Sequence, residues 1–288
     1  MPQATQSVSN VIAIAFDFDD TLVPDTYDAL IEDFGYDSKT FREERYYPLL
    51  KDGWDGIPAR FYTLIEEGKQ RTDGKKLTQS YIRDFGRQLR PFSGVDEMFG
   101  RLRQTAGDIS PDTEIEFYLI TSGFVEIAWN TSISSQFKAM WGCEFHFDES
   151  GQAQYLKRSV THPEKTRYLY YLSRGIDSHS EDNLLFVYED VSPDEIRIPL
   201  NQVIYAGDGT SDLPCFTLLN QAGGIPIGVY KEGTAQDWAQ EYQVSQSQRV
   251  VNLAPADYSQ DSEMMQSLTL AVEGLCKQIL LRQLGRGE

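Results

Sequence analysis

The 288-residue chain is poor in cysteine, in histidine and in positive charge. Its three cysteines, Cys143, Cys215 and Cys276, are far apart and odd in number. No disulfide framework and no zinc-type spacing can be read from them, which leaves small buried hydrophobes in a reducing compartment. The three histidines, His146, His162 and His179, show no ligand spacing to one another and are read as structural or exposed. Lys and Arg number 26 against 44 Asp and Glu, a net charge of −18. So acidic a surface repels nucleic acid and anionic lipid, so neither is expected as a partner. It also means that a site for an anionic ligand must carry its own local cations. Long hydrophobic runs are missing too. Met1 to Asn10 has no basic residue, and the apolar run Val11–Phe16 stops at Asp17, too early for a signal sequence or a membrane span. A cytoplasmic protein is expected.

What is present is a core. With 40% hydrophobic and 12% aromatic residues the chain can bury a large interior, in one large domain or two modest ones. Short apolar runs ending in polar turns predict strands at Val11–Phe16, Ile115–Ile120, Cys143–Phe147, Leu184–Tyr188, Val203–Ala206 and Ile225–Val229. Helical patterns lie between several of them, at Phe124–Met140, Glu164–Arg174 and Asp212–Asn220, and a last one covers Ser262–Leu284. Strands alternating with helices predict an α/β fold with a buried parallel sheet. Residues 25–90 differ: they carry helical patterns at Tyr27–Phe34, Pro58–Gly68 and Thr78–Leu89 and no convincing strand. That block reads as an inserted helical domain, hinged near Val23–Asp25 and Arg90–Gly94 where Pro24 and Pro91 interrupt the chain. The core domain would then comprise 1–24 and 91–288.

In open α/β sheets ligands bind beyond the carboxyl ends of the strands, so the residues there decide the chemistry. Four groups stand out. Asp17-Phe18-Asp19-Asp20-Thr21 follows the first strand, and two carboxylates two residues apart can attack phosphorus and shuttle a proton. Gly207-Asp208-Gly209-Thr210-Ser211-Asp212 follows another; its glycines allow close backbone approach, and Asp208 suits a hard cation. There Asp212 has two candidate roles, holding a metal-bound water or holding Lys165. Thr121-Ser122-Gly123 offers hydroxyls and N–H groups to a phosphoryl oxygen ahead of a helix. Lys165 stands near a helix start, where its charge opposes the helix dipole. Taken singly, each has an ordinary reading: an acidic cap, a turn, an N-cap, a solvated lysine.

Together and in this order, Asp-x-Asp-x-Thr, Thr-Ser-Gly, Lys and Gly-Asp-Gly-x-x-Asp, they resemble the four motifs of the haloacid dehalogenase-like superfamily. The resemblance spans about 11–24 and 91–230, and the Thr121-Ser122-Gly123-Phe124 stretch is similar to the phosphoserine phosphatase-like branch. It implies a Rossmann-like three-layer α/β/α core with the insert as a C1 cap. It further implies Asp17 as nucleophile and magnesium ligand, and Asp19 as general acid and then base, with its backbone carbonyl on the metal. Thr121, with Ser122 and Gly123 beside it, would bind the phosphoryl group; Lys165 would neutralise charge; Asp208 would ligate Mg²⁺, with Asp212 in or beside its shell. The activity implied is hydrolysis of a small phosphorylated metabolite. Alternatives on the same scaffold are a phosphomutase or other phosphotransferase and a non-catalytic phosphoryl-binding protein, whereas Asp19 argues against a dehalogenase. In phosphoserine phosphatases a glutamate shortly after the first motif binds the amino acid; Thr26 stands there here, so phosphoserine is not expected to be the best substrate. Arg42, Arg45 and Arg60 in the insert are candidates for contacting an anionic substrate. The Gly68–Lys75 stretch lacks the Ser or Thr a P-loop needs and is rejected, and Tyr168, Tyr170 and Tyr171 are read as packing residues. Oligomeric state is open.

Overall fold

The structure, a computed structural model, describes residues 9–72, 74–177, 192, 195–231 and 250–285. Seven strands, β1 Val11–Phe16, β2 Glu114–Phe124, β3 Phe137–Phe147, β4 Ala153–Arg158, β5 Val203–Gly207, β6 Ile225–Tyr230 and β7 Asn252–Pro255, form one sheet in the order β4-β3-β2-β1-β5-β6-β7. All neighbours are parallel except β3 and β4. The apolar run of β1 is buried along nearly its whole length and β5 along all of it, so both faces of the sheet must be covered. Helices α6 Val95–Ile109 and α10 Glu263–Leu284 pack on each other and on the sheet. So do α8 Lys165–Arg174 and α9 Leu213–Ala222. This is the doubly wound α/β architecture expected from the alternating pattern. No helix among the described residues is long and apolar enough to cross a membrane.

Helices α1 Thr26–Asp33, α2 Ser38–Phe41, α3 Tyr47–Lys51, α4 Gly56–Gln70 and α5 Gln79–Gln88 all fall within 25–90, with a turn of π-helix at Arg42–Tyr46. Their polar contacts are mostly internal. Tyr27 bonds to Thr63 at 2.7 Å, and the Glu67 carboxylate takes Tyr36, Arg45 and Arg71. The joint to the core is aromatic: Phe61 of α4 lies 4.9 Å from Phe124 and 4.4 Å from Phe145, ring centre to ring centre. Packing at that distance adds to the burial of three rings and fixes where α4 sits over the strand ends.

Two local expectations fail. The helical pattern over Phe124–Met140 yields only the four-residue α7, Val125–Ala128, and then β3 from Phe137. Asn130 and Thr131 turn their side chains back onto the carbonyls of Glu126 and Ala128 and stop the helix. Beyond them Ala139, Trp141, Cys143 and Phe145 are buried at period two, which outweighs the helical spacing. Strands β4 and β7 went unread because both are short edges with few buried residues. The strand expected at Leu184–Tyr188 lies outside the described residues.

At the amino-terminal end of β2, Glu116 is buried and takes hydrogen bonds from Tyr118 at 2.6 Å and from Arg197 at 2.5 Å, with Lys138 as a third partner. Burial by itself would raise its carboxyl, but the bonds from Arg197, Lys138 and Tyr118 outweigh burial and hold it down at about 2. A depressed folded value means stability that is present above the ordinary glutamate range and lost as pH falls toward 2. Glu116→Gln is expected to lower stability at pH 7 by about 1–3 kcal/mol, and the gap should close between pH 5 and pH 2. Thermal melts of both proteins across that range test it; a gap independent of pH would show that the cluster is not electrostatic.

Candidate active site

The site forms where the strand order reverses direction. β1 lies between β2 and β5, and the helices that follow them cross to opposite sides, which leaves a crevice at the carboxyl ends. Register sets the level of each group. Phe16 stands opposite Leu119 and Ala206, and the backbone N–H of Asp17 donates to the Ala206 carbonyl at 2.9 Å. Asp17 and Asp208 therefore emerge side by side, while β2 runs on to Phe124 and carries Thr121, Ser122 and Gly123 to the same edge. The expectation of a helix N-terminus behind Ser122 is corrected here. These residues are extended strand, and only the four-residue α7 follows.

Asp17 is buried. Its Oδ1 accepts the Phe18 N–H at 2.8 Å, and its Oδ2 lies 2.9 Å from Nζ of Lys165, the first residue of α8. Lys165 is wholly buried, and its Nζ also lies 2.8 Å from Asp212 Oδ1 and 3.1 Å from Ser211 Oγ. A solvated lysine is thereby excluded. Asp212 is pressed against Gly207: a Cβ at 207 would meet its carboxyl carbon at 2.4 Å. Asp19 points the other way. Its Oδ1 accepts the Thr26 N–H at 2.8 Å, and its Oδ2 lies where a Cβ on Gly123 would intrude, at 2.0 Å. Glycine at 123 is thus what leaves room for the Asp19 carboxyl. Asp20 adopts a left-handed backbone (φ 54°), held by its N–H on the Val23 carbonyl and by Lys231 on its Oδ1 at 2.7 Å. Thr121 Oγ1 accepts the Gly123 N–H at 2.8 Å, and the buried Ser122 Oγ has no hydrogen-bond partner among the described residues.

Asp17, Asp19, Thr121, Ser122, Gly123 and Asp208 line one cavity of about 860 Å³, and the wholly buried Lys165 and Asp212 meet it through Asp17 and Ser211. The start of α4, Tyr46, Arg60 and His162 also belong to its lining. Of the three candidate arginines, Arg42 is held by Asp25 and Asp28 and Arg45 by Glu67, so both are structural. Arg60 alone of the three lines the cavity, and its Nε is buried without a hydrogen-bond partner among the described residues. His162, read from the sequence as structural or exposed, is exposed on the cavity lining; partial desolvation of its ring and the charge of Lys165 lower its pKa.

The electrostatics separate the carboxyls. Burial raises Asp17 to about 6 against the pull of Lys165. Burial and then the charge of Asp25 raise Asp19 to about 7, against the Thr26 hydrogen bond. Asp208 is pushed well above the carboxylate range by burial and by the charges of Asp17, Asp212 and Asp20. One oxygen each of Asp17, Asp208 and Asp212 lies within 4.8 Å of the others. Three hard carboxylates crowded in a buried space, with Lys165 engaged by two of them, are a donor set that suits a divalent cation such as Mg²⁺.

No protein-family profile matches the chain. An uncharacterized protein of Borreliella burgdorferi is 27% identical over 236 residues, which span 73% of this chain and 79% of that protein. Among solved structures, a phosphoserine phosphatase carrying a phospho-aspartyl intermediate analogue superposes with a TM-score of 0.53 at 15% identity, over 90% of this chain and 98% of that one. A probable phosphoserine phosphatase from Vibrio cholerae gives 0.56 at 12% identity, over 93% of this chain and 66% of that one. A HAD family hydrolase from Salmonella enterica serovar Typhi gives 0.53 at 13%, over 80% of this chain and 65% of that one, just under two thirds of its length. With its motif residues gathered at the switch point of a matching sheet, the chain has the fold of the HAD hydrolases, phosphoserine phosphatases among them.

Proposed function

We propose that this protein is a magnesium-dependent phosphohydrolase acting on a small phosphate monoester through a phosphorylated Asp17. The observation that carries this reading is Lys165, a fully buried cation bridging Asp17 and Asp212, the two carboxylates grouped with Asp208. Three sequence-distant motifs line one cavity and Lys165 of the fourth pairs with Asp17 in its wall, which joins the opposite charges that phosphoryl transfer requires.

Asp17, Asp208 and the Asp19 carbonyl would hold the ion, with Asp212 beside it. Magnesium supplies positive charge against the phosphoryl dianion, which the carboxylates alone would repel. Thr121 Oγ1, the orphan Ser122 Oγ and neighbouring N–H groups bind the phosphoryl oxygens. An oxygen of Asp17 attacks phosphorus, and the bond to the leaving oxygen breaks. Asp19, whose pKa raised to about 7 lets it carry a proton near neutral pH, delivers that proton to the leaving oxygen and the alcohol departs. Asp19 then takes a proton from water as the water attacks the phosphorus, so that phosphate leaves and Asp17 and Asp19 are restored. Lys165 keeps the spectator oxygen of Asp17 neutralised throughout. A phosphatase assay with and without magnesium tests the reading; retention of the phosphoryl group, or its transfer to a second substrate, would favour a phosphotransferase.

Arg60 narrows the substrate. A guanidinium nitrogen on the cavity lining with no hydrogen-bond partner among the described residues fits a leaving group bearing a second anion. Arg60→Ala is expected to raise KM for carboxylate- or phosphate-bearing esters by about 10- to 100-fold while leaving an uncharged aryl phosphate little affected. Equal losses on both substrate types would rule this out. Within that class phosphoserine is expected to rank below larger esters, because Thr26 is buried and its N–H already serves Asp19. A comparison of kcat/KM across sugar, nucleotide and cofactor phosphates decides it.

A further inference from the structure

We infer that Tyr205 is a positioning residue that commits Asp212 to Lys165 and keeps it from turning toward the metal, an inference that rests on the phosphohydrolase reading. Tyr205 lies on β5, three residues before Asp208, and is wholly buried. Its phenol donates to Asp212 Oδ1 at 2.6 Å, the same oxygen that accepts Lys165 at 2.8 Å. The second oxygen, Oδ2, faces the Gly209 N–H at 3.3 Å and Ser211 Oγ at 3.4 Å. Gly207 backs the carboxyl so closely that no side chain fits behind it. The ring itself is set by an edge-to-face contact with Phe216 of α9, centroids 5.9 Å apart.

The consequence is a division of labour among three carboxylates that could otherwise compete. A short hydrogen bond from a neutral phenol to a carboxylate is charge-assisted and directional. It also fixes the rotamer, so that Oδ1 faces Lys165 and α8. Lys165 is then held between two carboxylates with its position decided from behind, and it meets Asp17 at a fixed height. Without the phenol, Asp212 loses one of two donors on Oδ1, so the carboxyl and Lys165 behind Asp17 are held less firmly. Outer partners of this kind orient the groups that touch substrate, and their loss costs about 10- to 100-fold.

The test is Tyr205→Phe, which keeps the ring and removes only the donor. Kinetics with magnesium should show kcat lowered about tenfold, KM changed less than about twofold and Tm within a few degrees of wild type. A double-mutant cycle with Asp212→Ala distinguishes positioning from packing: in that background the added Tyr205→Phe change should have almost no effect on kcat. Binding of inorganic phosphate in the presence of magnesium, read by calorimetry, should weaken in parallel and needs no turnover. Wild-type kcat and phosphate affinity in Tyr205→Phe, or additive effects in the cycle, overturn the inference alone. A wild-type protein that neither hydrolyses phosphate esters nor binds phosphate overturns the phosphohydrolase reading and this inference with it.

Discussion

Asp17→Asn is expected to abolish turnover, by roughly 10⁴-fold or more, while the protein stays folded. The substitution keeps the shape and the acceptor oxygen that meets the Phe18 N–H, so the strand end is undisturbed. What it removes is the anion proposed to attack phosphorus, which Lys165 faces at 2.9 Å. An amide nitrogen in place of Oδ2 would face the ammonium as a second donor, so a modest fall in Tm is expected too. Wild-type protein quenched during turnover should carry one phosphoryl group on Asp17, detectable by its added mass, and the variant none. Near-normal hydrolysis by Asp17→Asn would sink the mechanism; a normal Tm with no adduct in either protein would move the nucleophile elsewhere.

The second large effect is at Asp208. With magnesium present, Asp208→Asn is expected to lower activity about 10²- to 10³-fold and to shift half-activation to higher magnesium than Asp212→Asn does. Asp212 already serves Lys165 and Tyr205, so its contribution to the ion is the smaller. In excess chelator the order of stability should invert. Asp208 then stands among Asp17, Asp212 and Asp20 without its counter-ion, and neutralising it relieves repulsion in a poorly solvated space. The variant should then melt higher than wild type, by about 2–4 °C for each kcal/mol relieved, and lose that advantage when magnesium stabilises the native wild type by mass action. Activity that persists in chelator, or a variant less stable than wild type without metal, would contradict this account.

The candidate site was more legible than the local architecture around it. Asp17, Thr121, Lys165 and Asp208 are each read from their place after an apolar run or at a helix start, and the structure brings three of them to one cavity and pairs the fourth, Lys165, with Asp17. Acidic composition demanded local cations, and Lys165, Arg60 and Lys231 are there. Local propensity misled only where tertiary packing overrode it. Phe124–Met140 has helical spacing, yet Trp141 stacks at 1° on Tyr118 and against Tyr168, and a strand delivers those contacts.

What the sequence determined by itself was the class of fold and which residues stand at the strand ends as candidates for the chemistry, because strand ends and hydrophobic periods are local properties. What only the tertiary structure decided is which groups face one another. Three arginines of the insert look alike in sequence, and only the fold pairs Arg42 and Arg45 with carboxylates and leaves Arg60 on the cavity wall. Asp212 had two candidate partners, and the fold gives its carboxylate to Lys165, 47 positions away, and to Tyr205. Tyr205 carries no signal at all in the sequence beyond an aromatic in a buried strand. Its role depends on a 2.6 Å contact across the turn that follows β5, and contacts of that kind arise from chain closure rather than from spacing.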